Sequence, residues 1–336
     1  MALLPTLTIL FTFYHHVTNT MSSKQAIPLI HITTNTEQTP PSNDASRSLV
    51  HALQNSGFLL VKSPLLTAEL QADALQAARS FLETDTGAGT DAESKGIIRH
   101  PSDPKIYAML DSVDQCNGAS PILKEYMQVM QTVKMDLLRH VAVGLGMKDT
   151  HFLAKLHSEH NDTLRLINYY PTNSQETGNR CKAHSDYGTI TLLSTDGVSG
   201  LEAFHNGQWI PVPHVKGALV VNIGSLLSGW TKGSLRATLH RVAGPASPHS
   251  QSRMEDLLEA VKHTRTSMAF FADPNENVAE SLAASGKEEN GLVDALEGMS
   301  VSEYIEWRSG GSGSDRSGIG FTSADEKQIL DELNAE

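Results

Sequence analysis

Cysteine is almost missing from this chain: Cys116 and Cys181 are the two found in 336 residues. Two thiols cannot build a disulfide framework, and neither sits in a C-x-x-C motif, so a reducing compartment is the default reading. Cys181 is read as a buried, inert thiol although it lies just before a histidine of interest. Positive charge is scarce as well. Lys and Arg total 26 against 38 Asp and Glu, a net charge of −12, and no Lys/Arg-rich face emerges. That excludes a protein tracking the nucleic-acid backbone. Long apolar runs are lacking. Residues 1–17 carry no Lys or Arg but are too short to span a bilayer. They also lack the basic start of a secretory signal and the arginines of a transit peptide. Residues 1–26 are therefore read as a disordered extension, with Met21 as a plausible native start. A cytoplasmic location follows, with organelle targeting by residues 1–20 as the alternative.

With 39% hydrophobic and 19% charged residues the composition is that of a globular chain. Residues 27–150 read as a helix-rich region. Ile27–Ile32 opens as a strand, Arg47–Asn55 as a helix ending before Gly57, and Phe58–Val61 as a buried strand. Ser63-Pro64 and Ser120-Pro121 read as helix starts, with Ser as N-cap and Pro at the first helical position. Leu66, Leu70, Ala74, Ala78 and Leu82 then recur at helical spacing, as do Ile122, Tyr126, Met130, Val133, Leu137 and Val141. Met127, Met130 and Met135 are read as core filler. Over residues 151–308 short strands with Gly, Asn and Pro turns predict a mostly β fold, a two-sheet jelly roll with flanking helices. Residues 309–336 read as a Gly/Ser loop followed by a C-terminal helix after Thr322.

The chemistry concentrates between Cys181 and Pro245. His184 and Asp186 lie two apart, and in extended chain both side chains face one way. His240 follows after 53 intervening residues (187–239). In a chain of 15 histidines an H-x-D triplet arises easily by chance. If a distant strand delivers His240 to the same point, however, two imidazoles and a carboxylate occupy one face of an octahedral metal and leave three positions open. Tetrahedral zinc is the alternative ion for the same residues. Downstream, Arg265 and Ser267 share one face of a predicted strand, presenting a planar fork and a hydroxyl that suit a carboxylate.

Four motifs in order resemble the isopenicillin-N-synthase-like branch of the iron(II), 2-oxoglutarate-dependent dioxygenases. They are N-Y-Y-P at Asn168–Pro171, H-S-D-Y-G-T-I-T-L-L from His184, the run N-I-G-S-L-L-S-G-W-T-K-G to R-A-T-L-H-R-V ending beyond His240, and R-x-S-x-x-F-F at Arg265–Phe271. The resemblance implies a double-stranded β-helix holding Fe(II) on His184, Asp186 and His240. It implies that Arg265 and Ser267 grip the distal carboxylate of 2-oxoglutarate, with Asn168 and Tyr170 lining the same pocket. It also implies O2 as co-reactant, ascorbate as a support for activity in vitro, and oxidation of a small-molecule C–H bond (hydroxylation, desaturation or cyclisation) with release of succinate and CO2. Tyr187, Phe271 and Arg99 are candidates for the substrate pocket.

One departure stands out. The 24 residues between His240 and Arg265 exceed the family's usual connection, and the excess, about Ala246–His263, is read as an insertion near the site mouth. The chain is read as a monomer with a small-molecule substrate and neither nucleic acid nor membrane as partner. Three other readings stay open: an iron oxidase that does not use 2-oxoglutarate, a non-catalytic jelly-roll binding module, and a zinc hydrolase.

Overall fold

Strand periodicity organises the molecule, because one face of its larger sheet must meet helices and the other a second sheet. The structure, a computed structural model, describes residues 27–33, 41–84, 96–99, 105–285, 292–293, 295–296 and 298–310. The expectations for residues 1–26, for the loop after residue 85 and for a helix after Thr322 lie outside the described residues.

Eight strands form the larger sheet, in spatial order β1 (Leu29–His31), β2 (Phe58–Lys62), β10 (Leu219–Ile223), β7 (Ile190–Thr195), β12 (Arg265–Ala272), β5 (Asp162–Tyr169), β4 (Lys105–Leu110) and β3 (Ile97–Arg99). Four form the smaller one: β6 (Cys181–His184), β11 (His240–Val242), β8 (Leu201–His205) and β9 (Gln208–Pro211). The expected jelly roll with flanking helices is what the chain forms. Strands from the N-terminal region extend the larger sheet at both edges instead of standing apart from it.

Alternation decides which side chains reach the interior. On β12, Met268 and Phe270 join the main apolar core, together with Leu164 and Leu166 of β5. That core continues into three helices: α1 (Asn43–Asn55), α2 (Ala68–Glu83) and α3 (Pro121–Gly144). Met127 and Met130 are fully buried in it, and Met135 packs at its edge, as core filler should. The opposite face of the same two strands carries Arg165, Ile167 and Tyr169 on β5, and Arg265, Ser267, Ala269 and Phe271 on β12. All seven look into the space between the sheets.

Local signals set the helix starts, with two displacements. Pro121 occupies the first turn of α3 as expected, but Ser120 makes no side-chain cap bond. Helix α2 begins at Ala68, after Thr67, whose hydroxyl accepts the Leu70 N–H at 3.0 Å. Ser63 instead accepts from the Leu65 N–H within a turn, so Ser63-Pro64 does not start the helix. Helix α1 begins at Asn43, four residues before Arg47.

Helix α3 is tied to β5 by a buried ion pair. Lys134 Nζ lies 2.8 and 2.9 Å from the two oxygens of Asp162, and both side chains are fully buried. Removing one partner strands a buried charge. Asp162→Ala is therefore expected to lower unfolding free energy by about 3–5 kcal/mol in urea titrations, whereas the apolar double replacement K134M/D162L recovers most of the loss. A single mutant within about 1 kcal/mol of the parent would show that the pair does not pin the helix. Among the described residues no helix is long and apolar enough to cross a membrane.

Candidate active site

The two histidines meet because β6 and β11 pair antiparallel with His184 and His240 directly opposite. Their rings lie 4.3 Å apart between centroids. Each imidazole is turned by its own chain: His184 Nδ1 lies 2.8 Å from the Lys182 carbonyl and His240 Nδ1 lies 3.2 Å from the Thr238 carbonyl. Nδ1 therefore serves as the donor to backbone, and Nε2 is left to face the interior. Asp186 stands just beyond β6, and its Oδ1 lies 3.9 Å from His184 Nε2 and 3.6 Å from His240 Nε2. One donor atom from each residue falls within 4.8 Å of the others, and no second such cluster occurs among the described residues.

The larger sheet holds the carboxylate. Asp186 Oδ2 accepts from Thr191 Oγ1 at 2.6 Å and from Asn222 Nδ2 at 2.7 Å, leaving Oδ1 for the histidine side. Burial opposes the charge on Asp186, but the His240 and His184 charges and these two hydrogen bonds outweigh it and hold the carboxyl below its usual range. Burial and the neighbouring His184 charge lower His240 to about 4. His184 moves to about 9: burial pulls it down, but the Cys181 thiol and Asp186 outweigh that. The loop through Asp186 is fixed by backbone contacts, with Ser225 N donating to the Asp186 carbonyl at 2.8 Å and Gly224 N to that of Thr189 at 3.0 Å. A side chain at Gly224 would strike the Gly188 backbone, and one at Gly188 would strike Asp273. Only glycine permits this approach. Because Thr191 and Asn222 aim the carboxylate, Asn222→Ala is expected to weaken metal binding about 10- to 100-fold while leaving all three donors in place. A chelator-competition titration reads this, and unchanged affinity would remove Asn222 from the supporting shell.

Beside this cluster Arg265 is buried, 2% exposed. Its Nη1 reaches Ser267 Oγ at 3.3 Å and its Nε the Val198 carbonyl at 3.3 Å, while its guanidinium lies 5.3 Å from the Tyr169 ring centre. Among the described residues no carboxylate pairs with it. Arg180, also buried, spends its terminal nitrogens on the carbonyls of Tyr169, Tyr170 and Ala260. Burial, then the Arg265 charge, lowers Arg180 to about 10. A buried guanidinium at Arg265 with no acid paired to it, opening into the pocket, makes a site for an anion. The donor sets therefore fit both groups: a ferrous ion with open positions at the cluster, and a diacid whose far end reaches Arg265.

Several assignments need correction. Asn168 and Tyr170 do not line this pocket. Thr266 Oγ1 donates to Asn168 Oδ1 at 2.8 Å on the helix side of the sheet, and Tyr170 packs against the main core. The two-residue period sends Ile167 and Tyr169 inward instead, with Tyr169 directly across from Arg265. Cys181, expected to be a buried, inert thiol, is half-buried. It lines the pocket; burial opposes its ionisation, but hydrogen bonding and charge from His184 outweigh burial and lower it to about 7. Tyr187 and Phe271 line a cleft of about 480 Å³ that also reaches His184 and Asp186, whereas Arg99 does not. Ile98 faces that cleft, so its neighbour on the strand points to the other side. The insertion sits at the Arg265 end, away from the cleft: Ser250 and Ser252 donate to Glu202, and Gln251, Arg253 and Asp256 line a hollow behind Arg265.

Sequence reading missed β4. Its alternation, Ile106, Ala108 and Leu110 buried and Lys105, Tyr107 and Met109 turned inward, was the available signal. Asp273, at the same cleft, is pushed up to about 7 by burial, then by the charges of Asp162 and Asp186.

A two-sheet β-helix enclosing two imidazoles, one carboxylate and a buried guanidinium is an arrangement that suits non-haem iron. Residues 161–274 match the model of the 2OG-Fe(II) oxygenase superfamily. Relatives include the 2-oxoglutarate-dependent dioxygenase ecdK of Aspergillus rugulosus, 34% identical over 48% of this chain and 49% of its own length. Another is the 2-oxoglutarate-dependent dioxygenase frbA of a Dothideomycetidae species, 31% identical over 54% of this chain and 55% of its own. The chain thus spans about half the length of these curated relatives. Among solved structures, the dioxygenase for auxin oxidation 1 of Arabidopsis thaliana, in its binary complex with 2-oxoglutarate, superposes with a TM-score of 0.59 at 19% identity, covering 74% of this chain and 93% of that one. The last likeness concerns the fold.

Proposed function

We propose that the protein is an Fe(II)- and 2-oxoglutarate-dependent oxygenase that oxidises a C–H bond of a small molecule with O2, releasing succinate and CO2. The observation that carries this reading is that the three-donor cluster and the acid-free Arg265 open into one interior space. When bound, ferrous iron and 2-oxoglutarate together supply the electrons that activate O2 for attack on the substrate. Family relatives named as 2-oxoglutarate-dependent dioxygenases support the same chemistry.

This chain's residues divide the remaining work. His184, Asp186 and His240 would hold the ion, their orientations set beforehand by Lys182, Thr238, Thr191 and Asn222. Arg265 and Ser267 would take the distal carboxylate of the cosubstrate, with Tyr169 in the place first expected of Tyr170. Leu193, Leu201, Val242 and Ala269 wall the pocket and exclude water, which strengthens the guanidinium's pull on an anion. Substrate would enter by the cleft lined by Tyr187 and Phe271, which reaches His184 and Asp186 but not Arg265. The test uses the full chain with Fe(II), ascorbate, 2-oxoglutarate and air: slow formation of succinate is expected even without substrate. Succinate no faster than in an iron-free or anaerobic control would sink the reading.

A further inference from the structure

Arg165 is not used by the machinery above, yet it lies on the wall shared by the cosubstrate pocket and the substrate cleft. It sits on β5 four residues before Tyr169, about 13 Å along the strand at roughly 3.3 Å per residue, and opposite Ala269 rather than Arg265. It therefore faces the substrate's side of the cluster. One face of its guanidinium is covered by Tyr107, with Cζ 4.3 Å from the ring centre. Its Nε is buried without a hydrogen-bond partner. Among the described residues no carboxylate pairs with it. A stacked guanidinium has lost the use of one face and keeps its donor edge, and that edge is shaped for two oxygens of one carboxylate. Leaving such donors unpaired inside a cleft is costly, so a ligand that completes them is favoured.

A second observation describes the rest of the ligand. Of the four large hydrophobic side chains exposed on the described surface, Ile98 and Met109 both line this cleft, with Phe271 and Ile305 beside them. Exposed apolar side chains gathered at a concave site indicate what they cover. We infer that the substrate is a small carboxylic acid with an apolar body, its carboxylate held by Arg165 and its hydrocarbon laid against Ile98, Met109 and Phe271. The inference rests on the oxygenase reading for the identity of the reaction, but the binding claim is separable from it. Asp273 lines the same cleft, where a neutral or hydrogen-bonding group of the ligand is suited.

Binding of aliphatic, alicyclic and aryl monocarboxylic acids is compared with that of their methyl esters by anaerobic calorimetry. Titrations are run with Fe(II) and saturating 2-oxoglutarate, so that Arg265 is occupied, and again without either. At least one acid is expected to bind about tenfold or more tightly than its ester, and R165Q to bring the two within about twofold. R165K, which keeps the charge but loses the fork, is expected to fall between, and it serves as the readout if R165Q fails to fold by circular dichroism. Esters binding as well as acids across the panel, or R165Q and R165K both keeping the parent's preference, overturns the inference. So does a preference abolished by R265Q and not by R165Q, which would place the carboxylate in the cosubstrate pocket. Absence of substrate-free succinate in the parent removes the oxygenase reading alone and leaves the acid–ester comparison to be judged on its own.

Discussion

Asp186→Ala is expected to abolish metal binding and turnover together. Of the three donors it is the one charged oxygen, and it touches both imidazoles: its Oδ1 lies within 3.9 Å of each Nε2. Supporting residues around a metal are worth about 10- to 100-fold in affinity, so loss of a direct ligand is expected to exceed about 100-fold. The substitution also leaves the Thr191 hydroxyl and the Asn222 amide without their acceptor, at about 1–3 kcal/mol for each buried donor. Asp186→Asn separates the two effects, since it keeps the shape and an acceptor oxygen but removes the charge. Metal titration followed by chelator competition measures affinity, and thermal melting tracks the fold. One ion bound per chain with parental affinity in both variants would end the assignment of this cluster as the metal centre.

The second large effect concerns Arg265→Gln. The guanidinium is buried and lies across from Tyr169 with Ser267 beneath it. Truncating one partner of a buried, charge-assisted hydrogen bond costs about 2–5 kcal/mol, which at 1.4 kcal/mol per decade is roughly 30- to several-thousand-fold. That loss should appear as a higher KM for 2-oxoglutarate, with metal affinity unchanged because the three donors do not touch this residue. Ser267→Ala should move KM in the same direction by less, about fivefold, since the hydrogen bond from a neutral hydroxyl is worth about 1 kcal/mol. An Arg265→Gln enzyme oxidising substrate with its parental demand for 2-oxoglutarate would favour an iron oxidase that draws its electrons from substrate. Reading both parameters in one experiment keeps the two predictions independent: the Asp186 variants alter the ion, the Arg265 variant alters the cosubstrate.

Much of this was present in the linear chain. Residue types with specific chemistry announce themselves without coordinates: an imidazole pair with a carboxylate, and an arginine followed two residues on by serine. Strand and helix existence likewise followed from spacing, since apolar positions every two or every three to four residues report which face is buried. What the linear chain could not settle was phase. The motif N-Y-Y-P holds adjacent candidates, and whether Tyr169 or Tyr170 faces the pocket depends on a one-residue choice that only pairing with β12 and β4 makes. The same applies at Ile98 and Arg99, where the charged residue was the more attractive candidate and the apolar one lines the cleft. Register is decided by which face the helices cover, and those helices come from residues 43–144, far from the motifs they orient.

By itself, then, the order of amino acids determined the reaction chemistry on offer: the candidate ligand set, a candidate anion-binding arginine and a β-rich scaffold able to bring them together. Tertiary structure alone decided which strand neighbours aim those groups. It set Thr191 and Asn222 against Asp186, Tyr169 against Arg265, and Arg165 with Tyr107 in a cleft of their own. The reason is physical. Bond-forming chemistry resides in individual side chains, whereas direction and burial are properties of pairings between segments distant in sequence.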